Sequence, residues 1–418
     1  MSAAQHCVIA RSFLHCLTRS IHRPPSSRFT MSASNSSSSS SSGSSSGSSS
    51  SSHTQLWTIS PDQPYAAIYE QVAGAAALLA ADEAVVIPTE TVYGLAANAF
   101  SDDAVAKIFR AKNRPADNPL IVHVADESQL REVVEGEISQ REQQLIAAFW
   151  PGPLTLILPR KISVSRLVTA GLTTVGVRMP SHPVAKAIIA RCGKPLAAPS
   201  ANISGRPSPT CGAHVIGDMM GKVAGIVDGG ATGVGVESTV IDCSPEIPII
   251  LRPGGITKEE IETIIGPVTY AQELHSNERP ESAKDVSALS GHVPRAPGMK
   301  YAHYAPKAPV TVVEGSPQFL QSLVDAHHQQ HPTSKIGVLA TDESRGQYRA
   351  DVVVTCGARS DVASIARSLY DALRQFDIAT PSVDCIYSES FSTDGLGAAV
   401  MNRLLKAASH QVVREHHQ

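Results

Sequence analysis

Four cations in the middle of the chain have the types and positions expected of a site for anionic ligands. Lys112 and Arg114 are followed closely by the amide of Asn118, and Arg178 and Arg252 each end an apolar run. Arginine carries a rigid fork of donors that matches phosphate and carboxylate groups. These residues predict a substrate with phosphate or carboxylate groups, although Lys112 and Arg114 would equally suit the negative end of a helix dipole.

Hydroxyl and amide groups form a second candidate set. Ser200, Asn202 and Ser208 follow the apolar run Leu196–Ala198. Ligands of open α/β sheets bind outside the carboxyl ends of the strands, so these groups are expected beside a ligand at such an end. A simple Ser or Asx turn explains Ser200 and Asn202 equally well.

The familiar nucleotide loops are absent from the sequence. It contains no GxxxxGK[ST] run and no GxGxxG after a first strand. The Gly-rich run at 229–235 fits a turn that needs positive φ as well as it fits a phosphate loop. The sequence has no nucleophile elbow, and its seven cysteines form no CxxC pair. The lack of a nucleophile elbow excludes the usual Ser-His-Asp hydrolase. The lack of CxxC pairs predicts reduced thiols rather than a disulfide framework or a zinc site.

Alternating helix and strand signals from Leu56 to residue 268 predict a mixed α/β domain that positions these groups. Ser101 is expected to cap a helix that Pro115 ends, and a helical face begins at Tyr65. The segments expected to form strands are Ala84–Pro88, Leu120–Val124, Leu154–Leu158, Thr174–Val177, Leu196–Ala198, Gly225–Val227, Ser238–Asp242 and Ile249–Leu251.

A second α/β pattern begins at residue 309 and predicts a small domain with a parallel sheet. The residues between the two domains, 269–308, are polar or rich in Pro and Gly and indicate a loop and an interdomain linker. The expected strands are Val310–Val313, Ile336–Leu339, Val352–Val354 and Cys385–Tyr387, and the expected helices are 317–328, 361–376 and 395–408.

The N-terminal region differs in composition from the rest. Residues 1–30 carry Arg but no Asp or Glu, which is typical of an organelle transit peptide and also of an unselected leader. Residues 31–54 are rich in Ser and indicate a flexible linker. Met31 offers a second start, so we hypothesise that one gene supplies two compartments. No apolar run approaches the roughly 20 residues of a membrane span.

The ordered motifs resemble those of the Sua5/YrdC/YwlC family of threonylcarbamoyl-AMP synthases, over roughly residues 55–418. The run PGMKYAHYAP at 297–306 is similar to the interdomain linker of the long, Sua5-type members. The other motifs are PTETVYGL at 88–95, KNRPADNPLIVHV at 112–124, FWPGPLTLIL at 149–158, TVGVRMPSHP at 174–183, APSANISGRPSPT at 198–210, ESTVID at 237–242 and LRPGG at 251–255.

The resemblance implies a YrdC-like α/β domain at 55–268, with a twisted mixed sheet and a large, positively lined cavity. It also implies a smaller, Rossmann-like α/β Sua5 domain at 309–418. The family signature falls on Lys112, Arg114, Ser200 and Asn202. The implied ATP contacts are Arg114, Asn118, Thr174, Ser200, Ser208, Arg252, Tyr301 and Tyr304. The implied threonine contacts are Thr91, His123, Arg178, Ala198 and Ser238.

The activity implied by the family is synthesis of threonylcarbamoyl-AMP from L-threonine, bicarbonate and ATP, with Mg²⁺ held by the ATP phosphates and by no protein side chain. A separate transferase complex would then modify adenosine 37 of tRNA, with at most weak contact to double-stranded RNA. The expected compartment is the cytoplasm, with mitochondria as a second destination. Glu90, His123 and solvent remain alternatives as the base. Ala302 replaces the usual linker Arg, and Ala96 a usual Gly.

Two other functions are considered. A nucleic-acid-binding module is disfavoured because the chain has a net charge of −3 and no basic runs. Carbamoyl transfer through a carbamoyl-adenylate occurs in enzymes with a related domain, but their acylphosphatase and zinc-finger segments are absent here. Dependence on threonine rather than carbamoyl phosphate separates this second alternative from the synthase. The intact signature residues argue against a non-catalytic scaffold.

Overall fold

The computed structural model describes residues 53–271, 294–297 and 304–415. The expected transit peptide at 1–30, nearly all of the Ser-rich segment, and the linker residues Tyr301 and Ala302 lie outside these ranges. Within them, no helix combines the length and apolar character needed to cross a membrane.

Eleven strands of the larger domain join in one mixed sheet, in the order β1-β8-β2-β3-β7-β4-β6-β5-β9-β10-β11. Parallel and antiparallel pairs alternate irregularly along it. The strands are β1 Gln55–Thr58, β2 Val85–Ile87, β3 Gly94–Asn98, β4 Ile121–His123, β5 Leu154–Pro159, β6 Thr174–Arg178, β7 Leu196–Ala197, β8 Gly225–Asp228, β9 Thr239–Asp242, β10 Ile249–Arg252 and β11 Thr269–Tyr270.

Helices cover both faces of this sheet. Val86 of β2 packs in one apolar cluster, while Val85 and Ile87 pack in another, because successive side chains of a strand point to opposite faces. The inner strand β2 is therefore buried on both sides, whereas the edge strands β1 and β11 are largely exposed. The helices are α1 Tyr65–Gln71, α2 Ala73–Ala80, α3 Asp102–Lys112, α4 Glu127–Val133, α5 Gln140–Phe149, α6 Pro183–Cys192, α7 Gly212–Met219 and α8 Lys258–Ile265.

Helix α3 begins as expected, but it ends earlier. Ser101 Oγ accepts a hydrogen bond from the amide of Ala104 at 3.2 Å. The helix ends at Lys112 because Asn113 adopts the left-handed conformation, with φ of 52°, two residues before Pro115. The expectation that Pro115 ends this helix was therefore wrong; a left-handed Asn at the cap is a common alternative to Gly.

Other boundaries also differ from expectation. The helical face starting at Tyr65 is divided into α1 and α2 at Val72. Residues Gly94–Asn98, which were not among the expected strands, form strand β3. The sheet continues to Tyr270, two residues beyond the predicted boundary, since β11 pairs with β10.

The smaller domain has a five-stranded, wholly parallel sheet in the order β14-β13-β15-β12-β16, which confirms the expected architecture. Three helices and a short 3₁₀ turn at Arg345–Gln347 complete it. The elements are β12 Val310–Glu314, α9 Pro317–Gln330, β13 Ile336–Ala340, β14 Val352–Thr355, α10 Val362–Ile378, β15 Cys385–Glu389, α11 Leu396–Ala407 and β16 Val412–Arg414.

The Gly-rich run at 229–235 packs against the smaller domain. Gly230 and Gly235 have φ of 84° and 82°, so the run contains turns that favour Gly. A Cβ on Gly235 would lie 2.3 Å from the Cα of Arg367 on α10. The turn interpretation of this run is therefore correct, and Gly235 in addition permits close packing on the C-terminal domain.

Candidate active site

A pocket of about 570 Å³, counting space open to solvent, lies against the face of the larger sheet. Ile121 and His123, two residues apart on β4, both line it, so one face of that strand forms a wall. Ala198 also lines it, although β7 runs antiparallel to β4 and ends at the opposite edge. Ser200, which follows β7, lines the pocket as well, and so do Arg178 and Arg252, the last residues of β6 and β10.

The pocket brings together many of the predicted site residues. All of those expected to contact threonine line it, together with three of those expected to contact ATP. The residues are Thr91, His123, Arg178, Ala198 and Ser238 from the first set, and Ser200, Arg252 and Tyr304 from the second.

Arg178, the last residue of β6, is held in a fixed orientation. Its Nη2 lies 3.3 Å from Glu90 Oε2, and its Nη1 donates to Thr91 Oγ1 at 3.1 Å. Burial lowers the pKa of the guanidinium, and Glu90 opposes this effect. The Oγ1 atoms of Thr91 and Thr89 are 2.9 Å apart. Arg178 therefore presents an oriented cation to the pocket.

His123 is neutral in this environment. Burial, and the nearby charge of Arg178, hold the pKa of the imidazole well below its usual value. Its Nδ1 lies 3.2 Å from the carbonyl oxygen of Ile121. The ring therefore adds no charge to the pocket at neutral pH and offers a hydrogen-bonding group.

Arg252, the last residue of β10, is fixed by Ser238. Its Nε and Nη2 donate to the carbonyl oxygen of Ser238 at 3.1 and 3.0 Å, and Nη2 also reaches Ser238 Oγ at 3.1 Å. Nη1 donates to the carbonyl of Pro297, at the start of the linker, at 3.3 Å. The Oγ of Ser238 is also 2.8 Å from Thr155 Oγ1. A second oriented guanidinium thus lines the pocket.

Lys112 lies behind the pocket and braces the loop that carries Ser200. It is 1% exposed, and its Nζ donates to the carbonyl oxygens of Ser200 and Asn202, both at 2.5 Å. Burial and the charge of Arg114 lower its pKa well below the usual value. Lys112 does end α3, where a cation suits the helix dipole, but its donors serve the loop that carries Ser200.

Asn202 stabilises the same loop through its side chain. Its Oδ1 accepts from Ser200 Oγ at 2.5 Å, and its Nδ2 donates to the carbonyls of Ile203 and Arg206 at 2.8 Å. Lys112, Asn202 and Ser200 form one hydrogen-bonded group, and of the three only Ser200 lines the pocket.

Four further predicted ATP contacts lie outside the pocket wall. Arg114 Nη2 donates to the carbonyls of Asn118 and Pro119 at 3.4 and 3.3 Å. The amide of Asn118 is buried, and neither of its polar atoms has a hydrogen-bond partner among the described residues. Thr174 is the first residue of β6 and half-buried. Ser208 is fully buried.

Glu237 is a pocket residue that was not predicted. Its Oε1 accepts from Ser208 Oγ at 2.6 Å, and its Oε2 accepts from Arg403 Nε at 3.0 Å. The hydroxyl of Tyr370 also donates to it. Tyr370 and Arg403 lie on α10 and α11 of the C-terminal domain, 133 and 166 residues along the chain, so no local signal could have found this cluster.

No group of three or more His, Cys, Asp or Glu side chains suited to a metal ion occurs in the described ranges. The site described here consists of two oriented arginines, buried hydroxyl groups and one carboxylate paired with the C-terminal domain. Such a site can bind and orient anionic groups and exclude water from them.

Two protein-family models match consecutive parts of the chain. The family model Sua5_yciO_yrdC, described as Telomere recombination, matches residues 77–254. The model described as Threonylcarbamoyl-AMP synthase, C-terminal domain, matches residues 256–409. The two matches together include every strand except the edge strands β1 and β16.

Relatives over nearly the whole chain carry one name. The threonylcarbamoyl-AMP synthase of Bacillus subtilis is 51% identical over 363 residues, 86% of this chain and 99% of the relative. That of Pyrococcus abyssi is 46% identical over 342 residues, 81% and 94% of the two chains. The crystal structure of Pyrococcus abyssi Sua5 complexed with L-threonine matches with a TM-score of 0.77 and 43% identity, over 87% of this chain and 100% of that one.

These matches confirm the family, the fold class and the enzyme class expected from the sequence. The chain belongs to the Sua5/YrdC family of threonylcarbamoyl-AMP synthases.

Proposed function

We propose that the protein forms threonylcarbamoyl-AMP and pyrophosphate from L-threonine, bicarbonate and ATP, with ATP entering as its magnesium complex. The observation that carries this proposal is the pocket in which Arg178 and Arg252 are held in fixed orientations beside hydroxyl groups. Two oriented cations suit two anionic groups, the carboxylate of threonine and the phosphates of ATP, and the family membership names these two substrates.

Threonine binds at the Arg178 end of the pocket. The guanidinium takes the carboxylate as a fork, and Thr91, Ser238 and the neutral imidazole of His123 surround the amino and hydroxyl groups. Ala198 limits the space for the side chain. A site built around a substrate hydroxyl discriminates against analogues that lack it, because its own buried polar groups would otherwise stay unpaired.

ATP binds at the other end, with its phosphates near Arg252 and Ser200. Arg114, Asn118, Thr174 and Ser208 contribute as the family pattern implies, and the unsatisfied amide of Asn118 supports a polar ligand beside it. Tyr301 or Tyr304 covers the nucleotide. Lys112 and Asn202 keep the Ser200 loop in place rather than lining the pocket.

The reaction requires positioning and charge stabilisation more than covalent catalysis. The neutral amine of threonine captures bicarbonate to give a carbamate and water. A carbamate oxygen then attacks the α-phosphate of ATP, and pyrophosphate leaves. Glu90 and His123 are both candidates for the base that takes a proton from the threonine ammonium group and so produces the neutral amine. Because the carbamate and the acyl-adenylate hydrolyse easily, exclusion of water by the pocket is part of the function.

Pyrophosphate release by the purified full-length chain tests this proposal. Release is expected with ATP, Mg²⁺, bicarbonate and threonine, and not when serine replaces threonine. Folded protein that releases pyrophosphate without threonine, or none with it, contradicts the proposal. Release stimulated by carbamoyl phosphate instead of threonine would identify the alternative carbamoyl transferase.

The product would pass to a separate tRNA-modifying transferase, with no more than weak RNA contact by this chain.

We further propose that residues 1–30 direct part of the protein to mitochondria and that initiation at Met31 leaves the rest in the cytoplasm. A fluorescent protein fused behind residues 1–54 tests this. Mitochondrial signal that disappears when the fusion starts at Met31 is expected, and cytoplasmic signal from both fusions contradicts it.

A further inference from the structure

One carboxylate in the pocket wall is held mainly by the C-terminal domain. Glu237 accepts from Arg403 Nε at 3.0 Å, and the hydroxyl of Tyr370 lies 3.1 and 2.9 Å from its two oxygens. Arg403 and Tyr370 are both fully buried. Ser208 is the one direct side-chain partner that the larger domain supplies among the described residues.

The charge of Glu237 matters because of what the pocket binds. Burial by itself raises its pKa, but Arg403 and Arg252 bring the pKa down to about 2, so the group is ionised at neutral pH. An unpaired negative charge in this wall would repel a triphosphate and compete for Arg252. No hydrogen bond or ion pair joins Arg252 to Glu237 in the described ranges, where Arg252 donates to Ser238 and Pro297 instead.

Tyr370 also packs against Tyr304, another side chain at this end of the pocket. The rings of Tyr304 and Tyr370 have centroids 5.2 Å apart, and Tyr304 lines the pocket beside Glu237. Tyr304 belongs to the linker and has a left-handed backbone, with φ of 69°. Two adjacent pocket residues therefore depend on one tyrosine of α10.

We propose that Arg403 and Tyr370 are positioning residues through which the docked C-terminal domain neutralises and orients Glu237, so that the pocket accepts the triphosphate of ATP. This inference rests on the proposed function, because it takes ATP as the anionic substrate. It assigns the C-terminal domain an electrostatic role in binding one of the two substrates. Threonine, a zwitterion without net charge, is affected far less.

A general structural role is the alternative, and the chain offers a matched control. Arg374 on α10 donates to Asp218 at 2.7 Å, and both side chains are buried, with Asp218 in the larger domain. This pair joins the same two domains as Arg403 and Glu237 do. Asp218 does not line the pocket, so loss of Arg374 disturbs docking without exposing a pocket carboxylate.

The test compares full-length wild type, Arg403→Met, Glu237→Gln, the double variant Arg403→Met/Glu237→Gln, and Arg374→Met with and without Glu237→Gln. Pyrophosphate release is measured in two series, with ATP varied at saturating threonine and with threonine varied at saturating ATP. Circular dichroism verifies folding. We expect Arg403→Met to raise the KM for ATP about ten- to a hundredfold, with less than about a threefold change for threonine. Glu237→Gln should reverse the increase in the Arg403 background and leave any effect of Arg374→Met unchanged.

Two results overturn the inference while leaving the proposed function intact. One is an unchanged KM for ATP in folded Arg403→Met; the other is an increase that Glu237→Gln does not reverse. If Arg403→Met fails to fold, Glu237→Gln is compared with the double variant: similar KM values for ATP support the inference, and values more than about threefold apart overturn it. Wild-type protein without threonine-dependent release would overturn the proposed function itself, and this inference with it.

Discussion

The side chain of Lys112 is bonded twice to Asn202, a residue 90 positions away: Nζ lies 2.5 Å from the carbonyl oxygen and 3.4 Å from Oδ1. A lysine from the end of a helix thus fixes the loop that carries Ser200. Since Lys112 is buried, its charge does not meet solvent, and its donors serve the backbone. This relationship explains how a family signature residue affects a pocket that it does not line.

Replacing Lys112 with Met should destabilise the fold and abolish most activity. The carbonyls of Ser200 and Asn202 would each lose a charged donor, which costs about 2–5 kcal/mol of unfolding free energy in total. Displacement of Ser200 should reduce pyrophosphate release about a hundredfold. Urea unfolding and the release assay measure the two effects. Lys107→Met, on the same helix and paired with Glu83 at the surface, is the control and should change stability by less than about 1 kcal/mol. Equal effects of the two variants would contradict this account of Lys112.

Replacing Arg178 with Lys should weaken threonine binding selectively. Lysine keeps the charge but loses the fork that reaches Thr91 and Glu90 together with a substrate carboxylate. We expect the KM for threonine to rise about ten- to a hundredfold while that for ATP changes little. Arg191→Lys, which alters an arginine on α6 paired with Glu70, should leave both constants unchanged. A larger effect on ATP than on threonine would show that the two ends of the pocket have been assigned in the wrong order.

Glu237 should make stability depend on acidity. Its pKa is lowered from 4.5 to about 2 in the folded protein, because the charges of Arg403 and Arg252 and the bond from Ser208 outweigh burial. The stabilisation is therefore fully present above about pH 4.5 and is lost as the pH falls toward 2, and it amounts to roughly 3 kcal/mol. The free energy of unfolding, measured in urea at pH 7, should be larger for the wild type than for Glu237→Gln. This difference should shrink between pH 4.5 and 3. A difference that is constant with pH would mean that the carboxylate is not ionised by its partners.

Removing one hydroxyl from the C-terminal domain should affect the pocket. Tyr370→Phe keeps the ring against Tyr304 but loses the donor to Glu237, and we expect the KM for ATP to rise about three- to tenfold. Tyr348→Phe is the matched control, since its hydroxyl lies 2.6 Å from Glu389, a buried carboxylate within the smaller domain. Both variants should lose similar stability, and only Tyr370→Phe should change the KM. A parallel change in both would point to general loosening of the C-terminal domain.

The strands that were predicted are those with continuous apolar runs. Helices α4, α5 and α8 were not predicted, although each begins with a side-chain cap. The expected strands all exist, and Ser101 caps its helix. Helix α7, Gly212–Met219, was missed because it begins with Gly, contains Gly217 and lacks a side-chain cap, all of which disfavour a helix locally. It forms because Val215 and Met219 are buried in the core. Tertiary burial thus overrides local propensity, and a single sequence does not show it.

The residues of the candidate site were also predicted only in part from the sequence. Residues in the family motifs could be named before the structure, and those expected to contact threonine meet in one pocket. The pairing of Glu237 with Arg403 could not be predicted from the sequence, because it joins residues that are 166 positions apart and in different domains. The direction of the strands was also needed to show that the pocket covers a face of the sheet. A run of apolar residues predicts a strand but not which neighbour it pairs with.

Because β4 forms part of the wall, its register decides what the pocket contains. His123 pairs with Arg178 across β4 and β6, and Ile121 faces the same way. A slip of one residue would turn both away and present Val122 instead, since side chains alternate along a strand. Enzymes whose ligands rest on loops can acquire new specificity by changing those loops alone. Here, the strand alignment that completes the fold also selects the side chains that line the pocket.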